Sequence, residues 1–233
     1  MSEPPQPVKS LLALGIDTCG PSGSVALAHL ADSGVHILGE TPLEGRTYSA
    51  TLVAAVAALL KSENVRLGEI GALVVVNGPG SFTGVRVGVS AVKGLAEGAG
   101  LRVIALSRLA VLADKAGVAN AALDAHRHEV YLRLGEQERL AGAEDLASLA
   151  PPARVAVCDD GAEALLAAAW TGADLVRVAA PTASDALRLA TARMAAGDFD
   201  DVVLLDGHYL RRSDAEIFGE KGRPAESCGS PGR

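Results

Sequence analysis

The eight residues Asn77-Gly78-Pro79-Gly80-Ser81-Phe82-Thr83-Gly84 join an apolar run to a helical pattern, and their backbone N–H groups could receive an anion or another chain. Phosphate is the first chemistry to test. A P-loop needs glycine five residues after Gly78 and then lysine, but Thr83 and Gly84 stand there. A dinucleotide fingerprint needs glycine at the sixth position counted from Gly78, and that is again Thr83. Neither motif is met. The plain alternative is a tight strand-to-helix turn whose glycines supply positive φ.

Other constellations are equally incomplete. The five histidines, His29, His36, His126, His128 and His208, form neither H-x-x-x-H nor H-E-x-x-H, so a helical zinc pair is absent. His126 and His128 would share one face of a strand, but two ligands do not close a site. No serine sits in G-x-S-x-G, since Pro79 stands where the first glycine should be before Ser81. Paired carboxylates occur at Asp159-Asp160 and Asp200-Asp201, where solvated turns are the default reading. Cys19, Cys158 and Cys228 form no C-x-x-C, and so sparse and odd a set fits a reduced cytoplasmic compartment.

The elements that would position these residues follow from periodicity. Leu11 to Asp17 reads as a buried strand ending in the turn 18–23, with further strands at Ser24–Ala28 and Val35–Leu38. Thr47 or Ser49 can cap a helix with Leu52, Val53, Val56, Leu59 and Leu60 as its apolar face. The run Ala72–Val76 is β-branched and free of charge, which suits a strand covered on both faces. Val85, Val89, Val92 and Ala96 then give a helix over 84–98, followed by a strand at Arg102–Leu106 and a helix carrying Leu109, Leu112 and Ala113. The second half predicts paired strands at Ala121–Asp124 and Glu129–Leu134, a short helix over 144–149 and a strand at Val155–Cys158. Two more helices follow, at Ala162–Trp170 and Ser184–Ala196, before an apolar segment at 201–209.

Three strands followed by alternating helices and strands predict an α/β fold: mixed sheets with flanking helices. This order is similar to the ribonuclease H-like half-domain of actin, sugar kinases and the Hsp70 ATPase lobe (the ASKHA class). The predicted division is a mobile leader at 1–10, a first lobe at 11–107, a second and reduced lobe at 108–214 whose last helix packs back on the first, and a disordered tail at 215–233. In actin-like ATPases an aspartate at the place of Asp17 faces metal and phosphate together with a glycine-rich hairpin of the other lobe. The corresponding segment 123–128 has no glycine, which favours Asp17 as a turn-capping carboxylate; under the enzyme reading Asp17, Asp160 and Gly161 are the candidate nucleotide-lobe remnants.

Helix 84–98 carries a second signal. Gly84 and Gly88 are four apart, as are Gly94 and Gly98, and Val87, Ala91, Gly94 and Gly98 line up as a stripe of mostly small residues. Glycine costs roughly 1 kcal/mol against alanine inside a helix, so the stripe needs a close neighbour, either within the chain or in a partner subunit.

Composition bounds the function. The 233 residues are 49% apolar but only 3% aromatic, so the core is built from Ala, Val and Leu. Sixteen arginines against five lysines reflect genomic bias rather than function. The net charge is −7, with Arg211-Arg212 the sole adjacent basic pair, which disfavours independent RNA binding. No apolar run approaches a membrane span, and residues 1–10 lack a signal-peptide core.

The loop identifies a family. Gly78-Pro-Gly-Ser-Phe-Thr-Gly-Val-Arg-Val-Gly88 with Ala91-Val-Lys-Gly-Leu95 closely resembles the signature of the bacterial TsaB (YeaZ) family. Gly15–Cys19 with Ser24–Leu27, Leu123–Ala125 with Glu129–Tyr131, and Tyr209–Arg211 resemble its other conserved pieces, so the likeness runs from about 11 to 214. Tyr48 stands where the family often has histidine, and His126-Arg127-His128 replaces a segment commonly carrying arginine and glycine. The resemblance implies a non-catalytic scaffold and activator of TsaD in threonylcarbamoyl transfer to N6 of the adenosine beside the tRNA anticodon. It also implies TsaE as a third component, ATP and metal on the partners with none intrinsic to this chain, and tRNA contact only through the complex. TsaD carries H-x-x-x-H where this sequence has Arg108 and Leu112. The docking surface so implied uses the first-lobe helices through Leu52, Val56, Val87, Ala91, Gly94 and Gly98, and the same surface could form a homodimer when TsaD is absent. An ATP-dependent phosphotransferase or a metallopeptidase-like enzyme of the same fold is the rival expectation.

Overall fold

A computed structural model describes residues 10–31, 33–45 and 47–211. The leader expected at 1–10, apart from Ser10, and the tail expected at 215–233 lie outside these residues. The chain opens with β1 (Leu11–Asp17), β2 (Ser22–Ala31) and β3 (Gly34–Glu44), an antiparallel meander. Helix α1 (Tyr48–Ser62) follows, then β4 (Ile70–Val76), α2 (Phe82–Ala99) and β5 (Arg102–Leu106). Strand β4 lies parallel to both β1 and β5, giving the order β3-β2-β1-β4-β5. The Val74-Val75-Val76 run is fully buried because helices cover both faces of the sheet: α1 and α2 on one side, α6 (Ala183–Leu189) on the other.

The second sheet repeats this plan. Helix α3 (Arg108–Lys115) leads to the meander β6 (Ala121–Asp124), β7 (Glu129–Leu134) and β8 (Gln137–Gly142). Helix α4 (Ala143–Ser148), β9 (Arg154–Val157), α5 (Asp160–Ala169) and β10 (Asp174–Arg177) complete the order β8-β7-β6-β9-β10. The lobe is reduced in length, with strands of four to six residues, but not in strand number. Strands β8 and β10 are absent from the sequence expectation, because neither carries a run of apolar residues long enough to stand out from the loops beside it.

The helix expected at Ser184–Ala196 is two helices, α6 and α7 (Thr191–Ala196), joined at Ala190. Their buried residues Ala183, Ala186, Leu187, Ala190 and Met194 belong to the first core. The side chain of Thr182 caps α6, and its partner Asp185 also holds Lys115 of α3 at 2.7 Å. No helix among the described residues is long and apolar enough to cross a membrane.

Candidate functional site

Two turns of the first lobe interlock around the glycine loop. Ser81 N–H donates to the Cys19 carbonyl at 2.8 Å, the Thr18 hydroxyl donates to the Gly84 carbonyl at 2.7 Å, and the Tyr48 hydroxyl donates to the Gly20 carbonyl at 2.8 Å. Burial, and next the nearby Asp17 charge, push the Tyr48 hydroxyl up to about 12. Ser81 caps α2 by accepting from Gly84 N–H. A Cβ at Gly84 would fall on the Thr18 carbonyl oxygen, and one at Gly88 would lie 2.5 Å from the Thr18 hydroxyl oxygen. These two glycines are needed for packing within the chain. At Gly94 and Gly98 a Cβ would meet nothing within 4 Å. The glycines of α2 therefore divide: Gly84 and Gly88 face the fold, while Gly94 and Gly98, the end of the small-residue stripe, face open space.

The docking residues expected from sequence split in the same way. Leu52 and Val56 are buried in the first core and cannot form part of an exposed face. Val53, assigned to the apolar face of α1, is instead 73% exposed. The cause is the 3.6-residue period: Leu52, Val56, Leu59 and Leu60 already fill the stripe against the sheet, and Val53 falls beyond its edge. Val87 and Ala91 are half-buried, while Gly94 and Gly98 are exposed.

A cavity of about 680 Å³ lies between the lobes. Cys19, Gly20, Tyr48, Ser81 and Thr83 line it from the first lobe, and Leu123, Asp124, Tyr131 and Asp159 from the second. Asp17 is fully buried beside it. Its Oδ1 accepts from Cys19 N–H at 2.8 Å, which is the turn-capping role expected. Its Oδ2 lies 3.9 Å from Arg108 Nε, the first helical residue of α3. Burial pushes the Asp17 carboxyl up, and the Arg108 guanidinium pulls against it. The residues do not suit the metal of an actin-like site, because the free face of Asp17 has a guanidinium for its neighbour.

Asp160 and Gly161 do not join Asp17. The Asp160 side chain is 92% exposed and pairs with Arg177, while Gly161 packs against Asp124. Its neighbour Asp159 lines the cavity, capping α5 through Ala162 N–H at 2.7 Å and accepting from Asp124 N–H at 3.1 Å. Asp159 is thus no solvated turn residue. Nor is Asp200, which accepts from Ala105 N–H at 2.7 Å and from Arg193. His126 and His128 sit in a turn, not a strand, and His126, Arg127 and His128 all have φ near +60°. His126 pairs with Asp124 at 3.1 Å. Arg108 entered the sequence reading only as a position lacking histidine; a lone arginine before an apolar helix gives no sign that it will be buried.

The segment after α7 closes over the loop. His208 N–H donates to the Asn77 carbonyl at 2.7 Å, and Tyr209 lies against Phe82 with ring centroids 5.0 Å apart. Arg86 stacks over the other part of this cluster, 3.7 Å from the Phe82 centroid.

Comparison with known proteins accords with this architecture. The family described as "TsaD: tRNA N6-adenosine threonylcarbamoyltransferase" matches residues 42–166. The tRNA threonylcarbamoyladenosine biosynthesis protein TsaB of Haemophilus influenzae is 34% identical over 139 residues, 57% of this chain and 57% of that protein. Its Escherichia coli counterpart is 37% identical over 124 residues, 51% of this chain and 52% of that protein. These matches thus span little more than half the length of the curated relatives. The structure of YeaZ from Pseudomonas aeruginosa is similar over 87% of this chain and 100% of its own, with a TM-score of 0.68 and 30% identity. With the sequence signature, the duplicated fold and a structural match that spans the whole of the YeaZ chain, the chain belongs to the TsaB (YeaZ) family.

Proposed function

We propose that this protein is a non-catalytic partner in the biosynthesis of threonylcarbamoyladenosine in tRNA, docking a TsaD-type transferase through the outer face of α1 and α2. The observation that carries the reading is the pair Gly94 and Gly98, two helical glycines with open space where a side chain would be. Each costs about 1 kcal/mol of helix stability with no packing inside the chain to offset it. Close approach of another backbone supplies the missing reason. Val53 on α1 is a further exposed apolar side chain, and half-buried Ala91 precedes Gly94 in the stripe on α2. Arg108 and Leu112, where TsaD carries its histidine pair, are both buried, one beside Asp17 and the other in the core around α3. ATP, metal and tRNA contact then belong to TsaD and TsaE, and a homodimer through the same face would compete with the complex.

The test is reconstitution. TsaD, TsaE, tRNA and the remaining substrates are assayed for threonylcarbamoyl transfer with and without this protein. Transfer that requires the chain supports the proposal, and equal transfer in its absence contradicts it.

A further inference from the structure

We propose that the interlobe cavity is a metal-independent binding site for a compact oxyanion, a carboxylate or a phosphate monoester, held by the Arg108 guanidinium against the first turn of α2. The inference is independent of partner docking. Arg108 lines the cavity with its side chain only 7% exposed; its Nε is enclosed against Asp17, a terminal nitrogen lies beside Gly20 on the cavity wall, and the guanidinium makes no hydrogen bond among the described residues. The neighbouring charge does not supply one: Asp17 Oδ2 is 3.9 Å away and is itself without a partner. The terminal nitrogens keep their donors on the cavity side, and a planar fork of donors matches a carboxylate or phosphate better than any other common group.

A second feature points at the same space. Ser81, Thr83 and Gly84 at the start of α2 line the cavity, and α2 runs for 18 residues, so the positive end of its dipole faces the guanidinium's cavity. On the opposite wall, Asp159 is occupied by the N–H groups of Ala162 and Asp124, and Asp124 Oδ1 by the N–H of His126 at 2.7 Å. These carboxylates oppose a second negative charge on the far side of the ligand, while Leu123, Ala125 and Tyr131 offer its body an apolar surface. The fitting ligand is therefore a small molecule with one anionic end.

The full-length protein is titrated calorimetrically with inorganic phosphate and, separately, with acetate, in EDTA and at constant ionic strength. Saturable binding of phosphate alone assigns a phosphate ester, and of acetate alone a carboxylate; either supports the site. Replacing Arg108 alone would strand Asp17, so the comparison is the double variant Asp17→Asn/Arg108→Gln, expected to bind at least tenfold more weakly. Thr83→Trp, which keeps the buried pair and fills the cavity mouth, is expected to weaken binding similarly and decides the matter should the double variant not fold. The proposal is overturned by no saturable binding of either anion, by binding that needs added magnesium, or by unchanged affinity in a folded variant.

Discussion

Thr18 reaches Gly84 and Gly88 so closely that neither can carry a side chain, whereas Gly94 and Gly98 on the same helix have room to spare. Alanine substitution should therefore have opposite signs at the two ends of α2. Gly84→Ala is expected to destabilise the isolated chain by about 1–3 kcal/mol, the range of an overpacked core, because the Thr18 backbone must move. Gly94→Ala should stabilise it by about 1 kcal/mol through helix propensity. Urea denaturation of both variants checks the pair, and equal signs would contradict the packing described. The turn at 126–128 gives a second test at this scale. A non-glycine residue in the left-handed region costs about 1–2 kcal/mol, part of which glycine returns through its freer unfolded chain. His128→Gly is expected to raise stability by about 0.5–1 kcal/mol, read as a higher urea midpoint at an unchanged slope.

At the scale of elements, the joint between the lobes centres on Glu138 of β8. Its carboxylate accepts from Ser107, the cap of α3, at 2.7 Å, from Arg133 of β7 at 2.7 Å and from His208 at 2.8 Å. Burial pushes Glu138 up, but the hydrogen bonds from His208, Ser107 and Arg133 outweigh it, and the group is held below the ordinary carboxylate range. A lowered folded value means that the stabilisation is complete above the unfolded pKa of about 4.3 and is lost as pH falls through the folded value. Glu138→Gln should cost about 1–3 kcal/mol at neutral pH and show a shallower loss of stability in acid. Parallel acid limbs for the two proteins would contradict this. None of the joint was legible in the sequence, since Glu138 lies in a polar strand with no alternation and its partners come from positions 107, 133 and 208. The meander β1–β3, the β4–loop–α2 unit and β5 were legible because long apolar periods and glycine punctuation mark them. Their boundaries moved by a few residues, and only the short strands β8 and β10 escaped.

For the whole molecule, the duplicated strand order places two kinds of surface at the first lobe: the cleft facing the second lobe and the outer face of α1 and α2. The sequence read Asp17 as a turn cap, a role that its bond from Cys19 N–H fills. It could not separate the inward glycines of α2, Gly84 and Gly88, from the outward half formed by Gly94 and Gly98, because a spacing of four residues is the same for a core contact and a partner contact. Three-dimensional packing makes that distinction, removing Leu52 and Val56 from the exposed face and leaving Gly94 and Gly98 on it. The central claim is that this outward half receives the catalytic partner. Its most direct test is calorimetric titration of TsaD with the wild-type chain and with Gly94→Arg, a substitution that has open space in the isolated fold. The account predicts a folded variant whose affinity for TsaD falls by at least tenfold; unchanged affinity would place the docking surface elsewhere.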